Sequence, residues 1–127
     1  MARLLACLLA VPLFLTAAPA NACLPPMVGF ARGSAALNDE TRAEIDRVAD
    51  AFRQAPPGSR VELEAIGDSI GSAVANQRMS RRRAEAVRAA LVRRGIPNGA
   101  IDIQISLASN GWERMVWLNI NTRPGCV

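Results

Sequence analysis

The sequence predicts an α+β sandwich, two helices packed on one face of a mixed four-stranded sheet, in the order βαβαββ. Three observations predict it. Two segments repeat their apolar residues near a period of 3.6. At least three others alternate apolar and polar residues at a period of two. Gly and Pro clusters separate the segments at the expected boundaries.

The elements follow in order. Residues 24–27 are a Pro-containing lead-in, residues 28–31 suit a short strand, and Gly33-Ser34-Ala35 is turn-like. Asn38 has the chemistry of a helix N-cap, and Asp39 and Glu40 in the first turn suit the helix dipole. Ile45, Val48, Ala49 and Phe52 then fall on one helical stripe, which Pro56-Pro57-Gly58 stops. From Arg60 the period becomes two: Val61, Leu63 and Ala65 share one face, and Arg60, Glu62 and Glu64 the other. Residues 67–72 make a Gly-containing loop. An Arg-rich helix over residues 73–94 carries the stripe Ala84, Val87 and Leu91. Gly95 suits a left-handed cap, Ile96 its hydrophobic contact, and Pro97 blocks continuation. Ile101, Ile103, Ile105 and Leu107 alternate as the next strand, and Val116, Leu118 and Ile120 as the last. Asn110-Gly111 between them is the best two-residue hairpin turn in the chain.

The 127 residues allow one domain. Arg3, an apolar run over residues 4–16 and the small residues 17–22 have the order of a secretory signal, with cleavage expected after Ala22. Residues 1–22 are therefore expected to leave, Cys7 with them, and residues 23–127 to form the domain. The apolar run is short for a bilayer span, and no other segment approaches one. In an oxidising compartment Cys23 and Cys126 are the expected disulfide, which would close a loop of roughly 100 residues, worth about 4 kcal/mol in the chain-entropy model. Acylation of Cys23 is the alternative. It is disfavoured by Asn21, by the lack of a Leu three before the cysteine, and by the lone Cys126 thiol it would leave.

Composition excludes whole classes of chemistry. All fifteen basic residues are Arg, and the chain has no His. Ser-His-Asp and Cys-His catalysis are thus absent, as are His-ligated zinc and the lysine of a phosphate-binding loop. Ser69, Ser72 and Ser80 have no base beside them in the motif, so no enzyme activity and no cofactor are expected. The basic run Arg78, Arg81, Arg82, Arg83, Arg88, Arg93 and Arg94 suits nucleic acid by charge alone, but the export signal and the lack of an aromatic stacking platform oppose that. Such a face attracts anionic polymers or lipid headgroups, or is simply solvated. Trp112 and Trp117 are expected to pack on the last strand or flank a groove.

Several residues together resemble a known family. Phe30, Gly33-Ser34-Ala35 and Leu37 are similar to the entry of OmpA-like domains. Residues 68–72 (Asp-Ser-Ile-Gly-Ser), then Asn76, Met79-Ser80, Arg83-Ala84 and Val87, resemble that family's central motif, and Gly95-Ile96-Pro97 its helix exit. The resemblance spans about Val28 to Ile120. It implies a periplasmic or outer-membrane-associated, non-catalytic domain that binds peptidoglycan, with a possible envelope protein as a further partner. It also implies that Asp68 and Arg83, with Asn76 assisting, hold the diaminopimelate of the stem peptide. An Asp accepts the ligand ammonium and an Arg fork its carboxylate. Alternatively, Asp68 and Arg83 form a plain salt bridge that closes the loop.

The chain departs from the family pattern in places. Ala65, Ile66 and Gly67 stand where the family usually has Gly, an aromatic or His, and Thr. Residues 113–116 (Glu-Arg-Met-Val) match the family's Asn-Arg-Arg-Val with Met115 in place of one Arg, and a short 108–112 segment replaces a long connection. These changes imply a shallower groove, or a periplasmic scaffold that has lost the wall ligand.

Overall fold

A computed structural model describes residues 25–107 and 111–121. Strand β1 is Met27–Gly29, helix α1 Asp39–Arg53, strand β2 Val61–Ile66, helix α2 Ala73–Arg93, strand β3 Ile101–Ser106 and strand β4 Met115–Ile120. The predicted order βαβαββ is thus the observed one. No helix among the described residues is long and apolar enough to cross a membrane. The expected signal, Cys23 and Cys126 lie outside the described residues.

Local chemistry sets the helix ends. Asn38 caps α1: its Oδ1 accepts from the Thr41 N–H at 2.8 Å, and the Thr41 hydroxyl donates to the Asn38 carbonyl at 2.9 Å. Ser72 caps α2, accepting from the Ala75 N–H at 3.4 Å. At the far end of α2 the Gly95 N–H bonds the Val92 carbonyl and the Ile96 N–H bonds the Leu91 carbonyl, with Gly95 at φ +93°. That is the two-bond exit expected of Gly followed by an apolar residue, and Ile96 is buried.

The sheet order is β1-β4-β2-β3. Strands β2 and β3 are parallel, joined by the α2 crossover, while β4 runs antiparallel to both β1 and β2. The helices cover the face bearing Val61, Leu63, Ala65, Val116, Leu118 and Ile120, and Ile45, Val48, Val87 and Leu91 complete one continuous core. The opposite face carries Glu62, Glu64, Asp102, Gln104 and Trp117. There Arg60 forks onto Asp102 at 2.6 and 2.7 Å. Trp112 meets Trp117 edge-on, with ring centroids 5.7 Å apart. Small surface pairs join Arg88 to Glu85, Arg53 to Asp50 and Arg94 to Asp46.

Two local expectations give way to the sheet. The Asn110-Gly111 turn does not join hairpin partners, because β4 inserts between β1 and β2 and never pairs with β3. A two-residue turn spans only adjacent antiparallel strands, whereas this connection has to cross the end of β2. Asn110 itself lies outside the described residues. The alternation that included Leu107 also ends early: β3 stops at Ser106, and Leu107 is 86% exposed. Similarly, β1 is Met27–Gly29 rather than 28–31, and Phe30 leaves the strand to pack in the core.

These two leucines make a direct test. Leu118→Ala removes a fully buried side chain from an inner strand and is expected to cost about 2–5 kcal/mol in urea denaturation. Leu107→Ala is expected to change stability by less than about 0.5 kcal/mol.

Candidate functional site

Three loops meet at one end of the sheet because the register brings their strands there together. Gly29, the last residue of β1, pairs with Met115, the first of β4, and Met115 pairs with Ile66, the last of β2. Residues 30–34, 67–71 and 113–114 therefore leave a single row. The backbone of Arg114 ties them: its carbonyl accepts from the Phe30 N–H at 2.9 Å, and its N–H reaches the Gly67 carbonyl at 3.4 Å. Arg114 adopts φ +56°, a conformation uncommon for a residue with a side chain.

Asp68 sits in the middle loop. Its Oδ1 accepts from the Ile70 N–H and its Oδ2 from Arg114 Nη1, both at 3.1 Å. The Ile70 amide, then Arg114, hold its carboxyl below the usual aspartate range. Arg114 also reaches Glu113 at 3.1 Å, and the Ser69 hydroxyl donates to Glu113. Asn76, on the first turns of α2, donates from Nδ2 to the Asp68 and Ile70 carbonyls at 2.9 and 2.8 Å. Asn76 thus orders the loop rather than pointing a free amide at the cleft.

Arg83 does not pair with Asp68. Four residues before Val87, it lies on the inner side of α2 and is 2% exposed. Nε donates to the Ser34 carbonyl at 2.9 Å and Nη2 to the Ala31 carbonyl at 3.1 Å, and the guanidinium lies 5.5 Å from the Phe30 ring centroid. Burial, then neighbouring Arg114, pushes its pKa down, while Asp68 pulls it up. Neither the plain Asp68–Arg83 bridge nor a fully open Arg fork is present. The guanidinium spends one edge holding the 31–34 loop, and Nη1 has no hydrogen-bond partner among the described residues. Truncating Arg83 therefore removes a loop anchor as well as a charge.

A cleft of about 500 Å³ runs beside the middle loop, lined by Gly67, Asp68, Asn76, Gln77, Ser80 and Leu107 among others. The Ser80 hydroxyl is fully buried and makes no hydrogen bond among the described residues. A Cβ on residue 67 would come within 3.3 Å of it, which is why Gly fits there. Among the described residues no group of three His, Cys, Asp or Glu side chains is placed to hold a metal ion.

The geometry is that of a charged, preassembled cleft at the end of an α+β sandwich, and the profile of the OmpA family matches residues 29–119. The chain belongs to the OmpA family. Solved structures agree on the fold. It is similar to the peptidoglycan-associated lipoprotein of Burkholderia pseudomallei, at 21% identity and TM-score 0.65, covering 75% of this chain and 89% of that one. It is similar to the C-terminal domain of Helicobacter pylori MotB, at 17% identity and TM-score 0.64, covering 79% and 85%. The OmpA-like domain of FopA1 from Francisella tularensis matches at 18% identity and TM-score 0.62, covering 74% and 73%. Curated protein sequences gave no match.

Sequence reasoning placed Asp68, Arg83 and Asn76 at this end of the domain and missed Arg114 as the partner of Asp68. Its signal was present in the 113–116 motif, where attention fell on Met115. The depressed Asp68 carboxyl yields a pH test. Its interactions stabilise the fold above its unfolded pKa of about 4 and are lost as pH falls through the lower folded value. The stability difference between the wild type and Asp68→Asn is expected to be flat above about pH 5 and to shrink below about pH 4 in denaturation series. A difference that grows on acidification contradicts the pairing.

Proposed function

We propose that this domain is a non-catalytic peptidoglycan-binding module of the bacterial envelope, acting in the periplasm, and that it grips the diaminopimelate of the stem peptide at Asp68. Family membership and the first structural relative, itself named a peptidoglycan-associated lipoprotein, support the class of ligand. The observation that carries the site is the Asp68–Arg114 pair, only partly exposed and fixed at the cleft.

Diaminopimelate ends in an ammonium and a carboxylate on one carbon. Such a zwitterion can enter an existing ion pair without changing its charge balance. The ammonium takes the Asp68 carboxylate in place of Arg114, and the freed Arg114 guanidinium takes the ligand carboxylate. Arg83, almost fully buried, contributes by anchoring the 31–34 loop beside the pair. Each contact is charge-assisted, and a planar guanidinium matches a carboxylate better than an ammonium would. Asn76 acts through the loop it holds. No cofactor takes part.

One observation favours a second reading, a scaffold that keeps the fold without the ligand. Arg114 already neutralises Asp68, and Arg83 is committed to backbone carbonyls. Sedimentation with insoluble diaminopimelate-type peptidoglycan separates the two. The wild type is expected to pellet with the wall at moderate salt, and Asp68→Ala and Arg114→Ala each to weaken binding at least about tenfold, the effect of losing a buried charged anchor. Equal pelleting of all three proteins, or none by the wild type, would establish the scaffold.

A further inference from the structure

The wall-binding reading leaves the outer side of α2 unexplained. From residue 69 to residue 84 the chain has four arginines and no acid. Arg83 is turned inward. Arg78, Arg81 and Arg82 are exposed, and none has an ion-pair partner among the described residues. The other half of α2 is more nearly compensated, since Arg88 pairs with Glu85 and Arg94, just past the helix, with Asp46, leaving Arg93 as its exposed arginine with no ion pair among the described residues. The bare charge is thus concentrated in the first half of the helix.

The same half carries exposed apolar side chains. Val74 lies one turn before Arg78 and two before Arg81, on the same stripe, and is 65% exposed. Ile70, in the loop before the helix, is also 65% exposed. Leu107, 86% exposed, lines the cleft together with Gly71 and Ala73. Aliphatic side chains projecting singly from one end of a domain do not form the continuous apolar patch that makes the centre of a protein interface. They match a lipid surface. Apolar tips enter the acyl boundary by a few ångströms, and arginines keep their heads at the phosphates.

We infer that the outer face of the first half of α2, with Ile70, Val74 and Leu107 as apolar tips and Arg78, Arg81 and Arg82 as the charged belt, docks on an anionic phospholipid surface. This docking does not depend on the Asp68 carboxylate. Each arginine near an anionic bilayer contributes on the order of 1 kcal/mol, so the three together give about a hundredfold preference for anionic over neutral lipid. Salt screens most of that preference.

Vesicle sedimentation of the full chain, purified as the cell processes it, provides the test. The probes are phosphatidylcholine vesicles and phosphatidylcholine vesicles containing phosphatidylglycerol. The readout is the increment on adding phosphatidylglycerol, which an apolar terminus does not supply. The wild type is expected to show a large increment that raised salt abolishes. Arg78→Gln/Arg81→Gln/Arg82→Gln is expected to lose it by at least tenfold, and Ile70→Ser/Val74→Ser to lose a smaller part. Both sets are exposed, and circular dichroism checks that each folds. Asp68→Ala is expected to keep the full increment even where it loses the wall, which separates this inference from the function proposed above. No increment in the wild type, or one that survives the triple substitution, overturns the inference. Binding to an acidic protein in place of vesicles would overturn it equally.

Discussion

The path of the chain at this end of the sheet depends on a buried guanidinium. Arg83 sits on the inner side of α2, where a charge is tolerated only if its donors are satisfied. The Ala31 and Ser34 carbonyls satisfy one edge, and the Phe30 ring packs beside it. That need fixes the path of the chain after β1, because two carbonyls three residues apart must both turn toward the helix. The loop is thus set by the helix that crosses it. Breaking such a contact leaves an uncompensated charge inside the domain, which is why this arginine and its carbonyls act as a unit.

The sheet supplies the second constraint. With β4 between β1 and β2, one row of paired residues releases three loops at once. The Arg114 backbone stitches those loops together, and its side chain meets Asp68. The ion pair at this end is therefore a product of topology: residues 46 apart in sequence meet because β4 returns beside β2. In the proposed binding mode, an ion pair already held on a fixed backbone loses little freedom when a zwitterion replaces one pair by two.

Much of the fold was legible because its signals are local. Asn38, Pro56-Pro57-Gly58 and Gly95-Ile96-Pro97 act within a turn of their own positions, and each set an element end as expected. The stripes Ile45, Val48, Ala49 and Ala84, Val87, Leu91 report burial directly through the helical period. What was not legible is long-range. The Asn110-Gly111 pair has good hairpin chemistry, but no local signal reveals that β4 will bypass β3. Leu107 continues an alternation that the sheet itself does not continue. Asp68 and Asn76 stand out through the resemblance to the family's central motif, while the partner of Asp68 depends on strand order. The depth of Arg83 could have been read from helix phase, since it shares the side of Val87; the run Arg81-Arg82-Arg83 hides that one arginine faces the opposite way from its two neighbours.

The central claim is that the Asp68–Arg114 pair opens to admit a zwitterion while Arg83 stays anchored. Titration of free diaminopimelate into the isotopically labelled protein, followed by NMR of backbone amides and arginine side chains, addresses it most directly. The account predicts saturable shifts at the Ile70 amide, the Asn76 side chain and the Arg114 guanidinium, with the Arg83 Nε–H still protected by the Ser34 carbonyl. Saturable shifts confined to another face, or an Arg83 Nε–H that loses its protection while Arg114 is unmoved, would contradict it.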